Sequence, residues 1–168
     1  LQESDRVKAD GVGFQSHYTT LDLLGIEDLW RRYERFAPLV DRLVITEYDF
    51  VCNDDELHAD YTRDIVTLAF SHPKMTGFIH WGFWAGNHWK PEGALIREDW
   101  TERPAVQVWR DLVKGEWWTE ADVTTDAEGN AAVPAAFFGT YEITVGREGA
   151  GIHSHVPDGG LVEVVARQ

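Results

Sequence analysis

The 168 residues contain a single cysteine, Cys52, so no internal disulfide can form and cysteine usage says nothing of redox compartment. Basic residues are scarce, with 15 Lys and Arg against 29 Asp and Glu, for a net charge of −14. That balance excludes a phosphate-backbone ligand, because binding one needs clustered cations to displace counterions. It equally excludes an anionic membrane surface as partner. No apolar run approaches the roughly 18 residues that would span a bilayer. No internal repeat or low-complexity tract is present. Leu1 stands first with no signal-like segment ahead of it, so a processed product or a fragment is expected. A neutral polymer or small molecule is the ligand class that remains.

Aromatic residues are abundant. Eight tryptophans occur in the chain, and Trp81, Trp84, Trp89, Trp117 and Trp118 all fall between positions 81 and 118. Core packing is the ordinary use of any one Trp, roughly two to one. A cluster that also holds histidines and small residues suits stacking on the apolar face of a sugar.

Residues 10–17 read as a short strand entered through glycines. After Gly25, the apolar positions Ile26, Leu29, Trp30, Tyr33, Phe36, Ala37 and Val40 recur at three and four, which predicts a helix. Glu27 and Arg31 are placed to pair on its exposed side. Leu43–Thr46 is a β-branched run that predicts a second strand. A second helix is expected after Asn53-Asp54-Asp55, with Leu57, Tyr61, Ile65, Leu68 and Ala69 inward. Met75–Phe83 reads as a third strand, and Pro104 opens a last helix with Val106, Trp109, Leu112 and Val113 buried.

Strands alternating with helices imply right-handed crossovers and a parallel sheet. All three strands end in chemistry-bearing residues: Gln15 and His17, then Glu47 and Asp49, then Trp81 and Trp84. Parallel sheets collect their chemistry at that edge. From about Trp117 onward the pattern changes. A turn at Asp126–Gly129, period-two alternation over Thr140–Val145 and a closing strand over Leu161–Ala166 predict a small antiparallel β appendage. About fifty residues make a poor independent core, so it is expected to pack on the α/β part.

A lone carboxylate ending a buried strand is as often structural as catalytic. Here Asp49 follows Glu47 by two, so both share one face of an extended segment. His17 on the neighbouring strand can hydrogen-bond them, which would orient Glu47 and keep it ionised as a nucleophile requires.

These residues carry a resemblance. Gly11-Val12-Gly13-Phe14-Gln15-Ser16-His17, Ile45-Thr46-Glu47-Tyr48-Asp49 and His80-Trp81-Gly82-Phe83-Trp84 resemble the sixth, seventh and eighth barrel strands of family 10 glycoside hydrolases, the β-1,4-xylanase type. His88-Trp89-Lys90-Pro91, Asp99-Trp100 and Trp109–Val113 resemble its plant-type subgroup, as does the tail from Gly139 to Val145. The resemblance implies an α/β fold: a partial (β/α)8 TIM barrel holding the last three βα units in residues 1–116, with the β extension in 117–168. It implies Glu47 as nucleophile, with His17 and Asp49 as its orienting partners. Gln15, Trp81, Trp84, His88 and Trp89 are then the substrate-binding set. It implies no cofactor and no metal, xylan as the β-1,4-linked ligand, and a secreted or extracellular setting.

The sequence departs from the family pattern in three ways. Tyr48 replaces the usual hydrophobic residue after the nucleophile, and Ala85 stands where an acidic residue is common. The first five strands, with the Asn-Glu pair supplying the acid/base, have no counterpart. The resemblance therefore implies an enzyme part inactive alone, completed by the N-terminal barrel portion or by self-association. A non-catalytic polysaccharide-binding module using the Trp cluster is the competing reading. A metal held by His80 and His88, or by His153 and His155, lacks an evident third ligand.

Overall fold

In the computed structural model, residues 9–137, 139–145 and 150–156 are described, and the chain divides into two units, Leu1–Lys114 and Gly115–Gln168. The first unit is built on strand β3, Arg42–Val51. Strands β1 (Gly11–Phe14) and β2 (His17–Thr19) run parallel to it, and β4 (Met75–His80) pairs with it in parallel as well. Helix α1 (Ile26–Phe36) connects β2 to β3, and α2 (Asp55–Ser71) connects β3 to β4. Helix α3 (Pro104–Asp111) follows a long loop after β4, with Pro104 in its first turn. Among the described residues no helix is long and apolar enough to cross a membrane.

One irregularity organises the sheet. Phe14 pairs with Ile45, but His17 pairs with Asp49, so β3 carries one residue more than the β1–β2 line. Ser16 breaks that line in a left-handed conformation, with φ 65°. The backbone N–H of Glu47 still donates to Gln15 O at 3.1 Å. The pairing of β3 with β4 also shifts register between Ile45 and Tyr48. A bulge of this kind resets the alternation of faces. Leu43 and Ile45 before it, and Tyr48 and Phe50 after it, all enter one core and are 0% exposed. Glu47 and Asp49 are left on the opposite face.

The core joins these four residues to Leu29 and Tyr33 of α1 and to Tyr61, Ile65, Leu68 and Ala69 of α2. Each large apolar side chain so buried stabilises the fold by about 1.5–3 kcal/mol. Helix α2 begins where Asp54 accepts from the backbone N–H groups of Glu56 and Leu57, both at 3.0 Å. Lys74 Nζ donates to the carbonyls of Ala37 and Val40, tying the end of the α1 segment to the start of β4.

Several local expectations are corrected. Leu57 is 39% exposed, and His58 is the residue buried in that turn. In α3 the buried residues are Ala105 and Val108, followed by Leu112, whereas Val113 is exposed. Arg31 makes its ion pair with Asp28 rather than Glu27.

The loop after β4 is fastened by Arg103, which is 6% exposed. Its guanidinium donates to Asp55 Oδ1 at 2.8 Å, to Cys52 O at 2.7 Å and to Glu92 O. A planar fork of five donors satisfies this many oxygens where a lysine would not.

In the second unit, β5 (Gly139–Val145) and β6 (Ala150–Val156) pair antiparallel, from Gly139↔Val156 to Val145↔Ala150. Asp126 Oδ1 accepts from Glu128 N and Asn130 N, closing the expected turn around Gly129 (φ 86°). The strand expected over Leu161–Ala166 lies outside the described residues.

Candidate active site

The bulge in β3 sets Glu47 and Asp49 two apart on the face away from the helices, and the register brings His17 level with Asp49. The His17 imidazole lies between both carboxylates. Its Nδ1 is 3.0 Å from Asp49 Oδ1, and its Nε2 is 3.3 Å from Glu47 Oε2. With the Nδ1 proton donated to Asp49, Nε2 is left facing Glu47 Oε2 within hydrogen-bond distance. Glu47 keeps 28% of its side chain open, whereas Asp49 is fully buried.

A buried carboxylate is costly unless donors replace its water. Asp49 has them on both oxygens. Oδ2 accepts from Trp89 Nε1–H at 2.6 Å, and His88 Nε2 lies 3.7 Å from it. His88 Nδ1 accepts from the backbone N–H of Lys90 at 3.0 Å, so the ring proton sits on Nε2, where it is donated to Trp81 O at 2.6 Å. The His88 side chain is 0% exposed. It ties the end of β4 to the Trp89 loop. Gly82, at φ 65°, makes room for it, since a Cβ there would lie 2.5 Å from His88 Cδ2.

Trp81 and Trp89 stand at 44% and 57% exposure, both edge-on to His17 with centroids 6.2 and 5.1 Å away. Gln15 is exposed at the break between β1 and β2, and its carbonyl serves the backbone of Glu47. Trp84 does not join this group. It stacks on Trp100 at 4.9 Å and 16°, and its Nε1–H donates to Glu98 O at 3.2 Å.

Tyr48 points away from the site, its hydroxyl 3.0 Å from Thr62 Oγ1, and burial pushes it well above the usual phenol range. His80 and His58 belong to that helix-side layer too. His80 lies beside Tyr48, and His58 stacks on Phe50. Burial pushes His58 down to about 4 and His80 down to about 3, so both are neutral near pH 7. Among the described residues no group of three or more His, Cys, Asp or Glu is placed to hold a metal. Sequence reasoning missed two roles: Trp89 as a donor to Asp49, and His88 as a buried tie. The available signal was their adjacency in a glycine-flanked loop.

The glycosyl hydrolase family 10 profile matches residues 2–111. An anti-sigma-I factor, RsgI6 of Acetivibrio thermocellus, is 35% identical over 157 residues, covering 90% of this chain and 20% of that protein. That alignment includes residues beyond the profile match. Endo-1,4-beta-xylanase B of Cellvibrio japonicus is 26% identical over 102 residues, 58% of this chain and 16% of that protein. The solved xylanase 10B of Thermotoga petrophila, in complex with xylobiose, superposes with a TM-score of 0.54 at 24% identity, over 62% of this chain and 36% of that one. The chain thus spans a fifth or less of the length of these two curated relatives.

Proposed function

The chain belongs to glycosyl hydrolase family 10, a family of (β/α)8 barrels of which it matches only part, and on that premise we propose that it is the C-terminal, nucleophile-bearing part of a retaining endo-1,4-β-xylanase-like hydrolase. On this reading β1–β2, β3 and β4 are the sixth, seventh and eighth barrel strands. The single observation that carries it is the His17 imidazole between the half-open Glu47 and the fully buried Asp49.

The chemistry follows from that arrangement. A Glu47 carboxylate oxygen attacks the anomeric carbon as the bond to the leaving sugar oxygen breaks, giving a glycosyl ester. Water then attacks the same carbon and releases Glu47. His17 orients Glu47, and Asp49 holds His17 in place. Trp81 and Trp89 wall the sugar beside the scissile bond, with Gln15 as a polar contact. The leaving oxygen needs a proton from a second carboxyl group about 5–5.5 Å from the first. That group belongs to an earlier strand of the barrel. Without it the expected loss is about 10²–10⁴-fold, so this chain alone is nearly inactive. The outer edges of β1–β2 and β4 have no partner among the described strands, and the remaining barrel strands or a second copy would cover them. Xylan, a polymer met outside cells, is the substrate class, which places the protein there. The xylobiose complex of the Thermotoga petrophila enzyme and the name of the Cellvibrio japonicus relative support that choice.

A second reading has one observation in its favour. The relative aligned over most of this chain is named as an anti-sigma factor and not as a hydrolase. On that reading the same tryptophans bind a β-1,4-linked polysaccharide without cleaving it. The two separate when a separately made N-terminal portion of a family 10 barrel is added and release from an aryl xylobioside is followed. Turnover that vanishes in Glu47→Ala supports the hydrolase. Xylan binding with no turnover supports the binding module.

A further inference from the structure

We propose that the outer face of Trp100 is a second sugar-stacking platform, which takes one pyranose ring of a β-1,4-linked polysaccharide at a place distinct from the Trp81–Trp89 pair. The ligand class rests on the reading above, but the site does not. Trp100 is 62% exposed, the most open tryptophan among the described residues. It is held in a left-handed backbone conformation, φ 68°, which bulky L-residues rarely adopt. Strain of this kind persists only where the surroundings impose it. Here the turn Arg97–Thr101 imposes it, with Arg97 N–H donating to Thr101 O at 2.8 Å and Trp100 N–H donating to Arg97 O at 3.0 Å.

What the strain achieves is a flat ring fixed over a second flat ring. Trp84 lies beneath, nearly parallel at 16°, with its own N–H tied to Glu98 O. Gly86 lies against Trp84 as well, and any Cβ there would fall 2.3 Å from the Trp84 ring. Trp84 is thus held by Glu98, by close contact with Gly86 and by the stack with Trp100, whose own ring stays open to solvent. Trp84 is thereby the support of this platform and not its contact surface.

The rim selects the ligand. Glu98 and Asp99 immediately precede Trp100 in the chain, and Asp99 is an acceptor already used by Thr101 N–H and Oγ1–H on one oxygen only. Carboxylates beside an apolar ring repel anions and accept from hydroxyl groups. One indole face is also far smaller than the several hundred Å² of apolar patch that marks a protein partner. A pyranose with equatorial hydroxyls, apolar above and below and donor-rich around its edge, matches both features.

The test follows the indole N–H signals of the 168-residue chain by NMR during titration with xylohexaose. The Trp84 and Trp100 signals are expected to shift together and saturate, and to do so still in Trp89→Ala. Trp100→Gly, which suits the left-handed backbone, should weaken that event about five- to tenfold. Shifts confined to Trp81 and Trp89 would overturn the platform and leave the active-site reading intact. Shifts confined to Trp84 and Trp100 would support the platform and count against Trp81 and Trp89 as walls. If no indole signal moves, both ideas fall, and unchanged affinity in Trp100→Gly overturns the platform alone.

Discussion

Strand β3 faces two environments, and the polar groups on its two sides meet burial differently. Toward α2, Leu43, Ile45, Tyr48 and Phe50 are all 0% exposed, and the polar groups among them stay neutral. The Tyr48 hydroxyl is pushed up and shares one hydrogen bond with Thr62, while His58 and His80 are pushed down by burial. On the other face Asp49 is equally buried, yet both its oxygens meet ring N–H donors from His17 and Trp89. Burial alone therefore does not mark the candidate site. What marks it is a set of donors aimed at a carboxylate, with a second carboxylate left half open beside it.

Changes on the two faces should separate chemistry from stability. The largest effect is expected for Glu47→Gln in the barrel completed by its upstream strands: turnover should fall about 10⁴–10⁶-fold, as for loss of a nucleophile elsewhere. Denaturant titration of the same variant of this chain should move stability by no more than about 0.5 kcal/mol. On the helix side, Tyr48→Ala should cost about 3–5 kcal/mol of stability through the cavity it leaves. A comparable loss there from Glu47→Gln would erase the contrast between the faces.

Acid should then act through the helix-side histidines. The folded pKa of His58, about 4, lies below its unfolded value near 6.5, so on acidification the unfolded chain takes up the proton first. The stability from keeping His58 neutral is complete above pH 6.5. It is lost as pH falls toward 4, by on the order of 3 kcal/mol. Unfolding curves at pH 7, 5.5 and 4 measure this, and His58→Phe should flatten the slope. Tyr48→Phe is the smallest change, about 1 kcal/mol for the lost hydrogen bond to Thr62, with no effect on turnover in the completed barrel.

Much of this arrangement was legible in the residues. The spacing of Glu47 and Asp49 announced a shared face, and His17 ended the strand beside them. The bulge was not legible. The short β-branched run suggested a strand over Leu43–Thr46, but β3 continues to Val51 because Tyr48 and Phe50 rejoin the core after the register slips. Nor did periodicity reveal that His58 takes the inward place expected for Leu57. Phe50 supplies the stacking surface for its ring, and that partner comes from another element. In α3 the buried face shifts to Ala105 and Val108 because the helix is only eight residues long and widens into a π-turn over Leu112–Glu116. The burial of the His88 side chain against Gly82 and Gly93 is a consequence of loop closure that no local pattern encodes.

The central claim is that Glu47 is the nucleophile of a two-step displacement whose proton donor lies outside this chain. Covalent trapping tests it most directly. The completed barrel is incubated with an activated 2-fluoro xylobioside, which slows release of the glycosyl ester, and the digested protein is read by mass spectrometry. The account predicts one adduct per barrel, on the peptide bearing Glu47 and absent in Glu47→Gln. Turnover with no adduct, or an adduct on another residue, would contradict it.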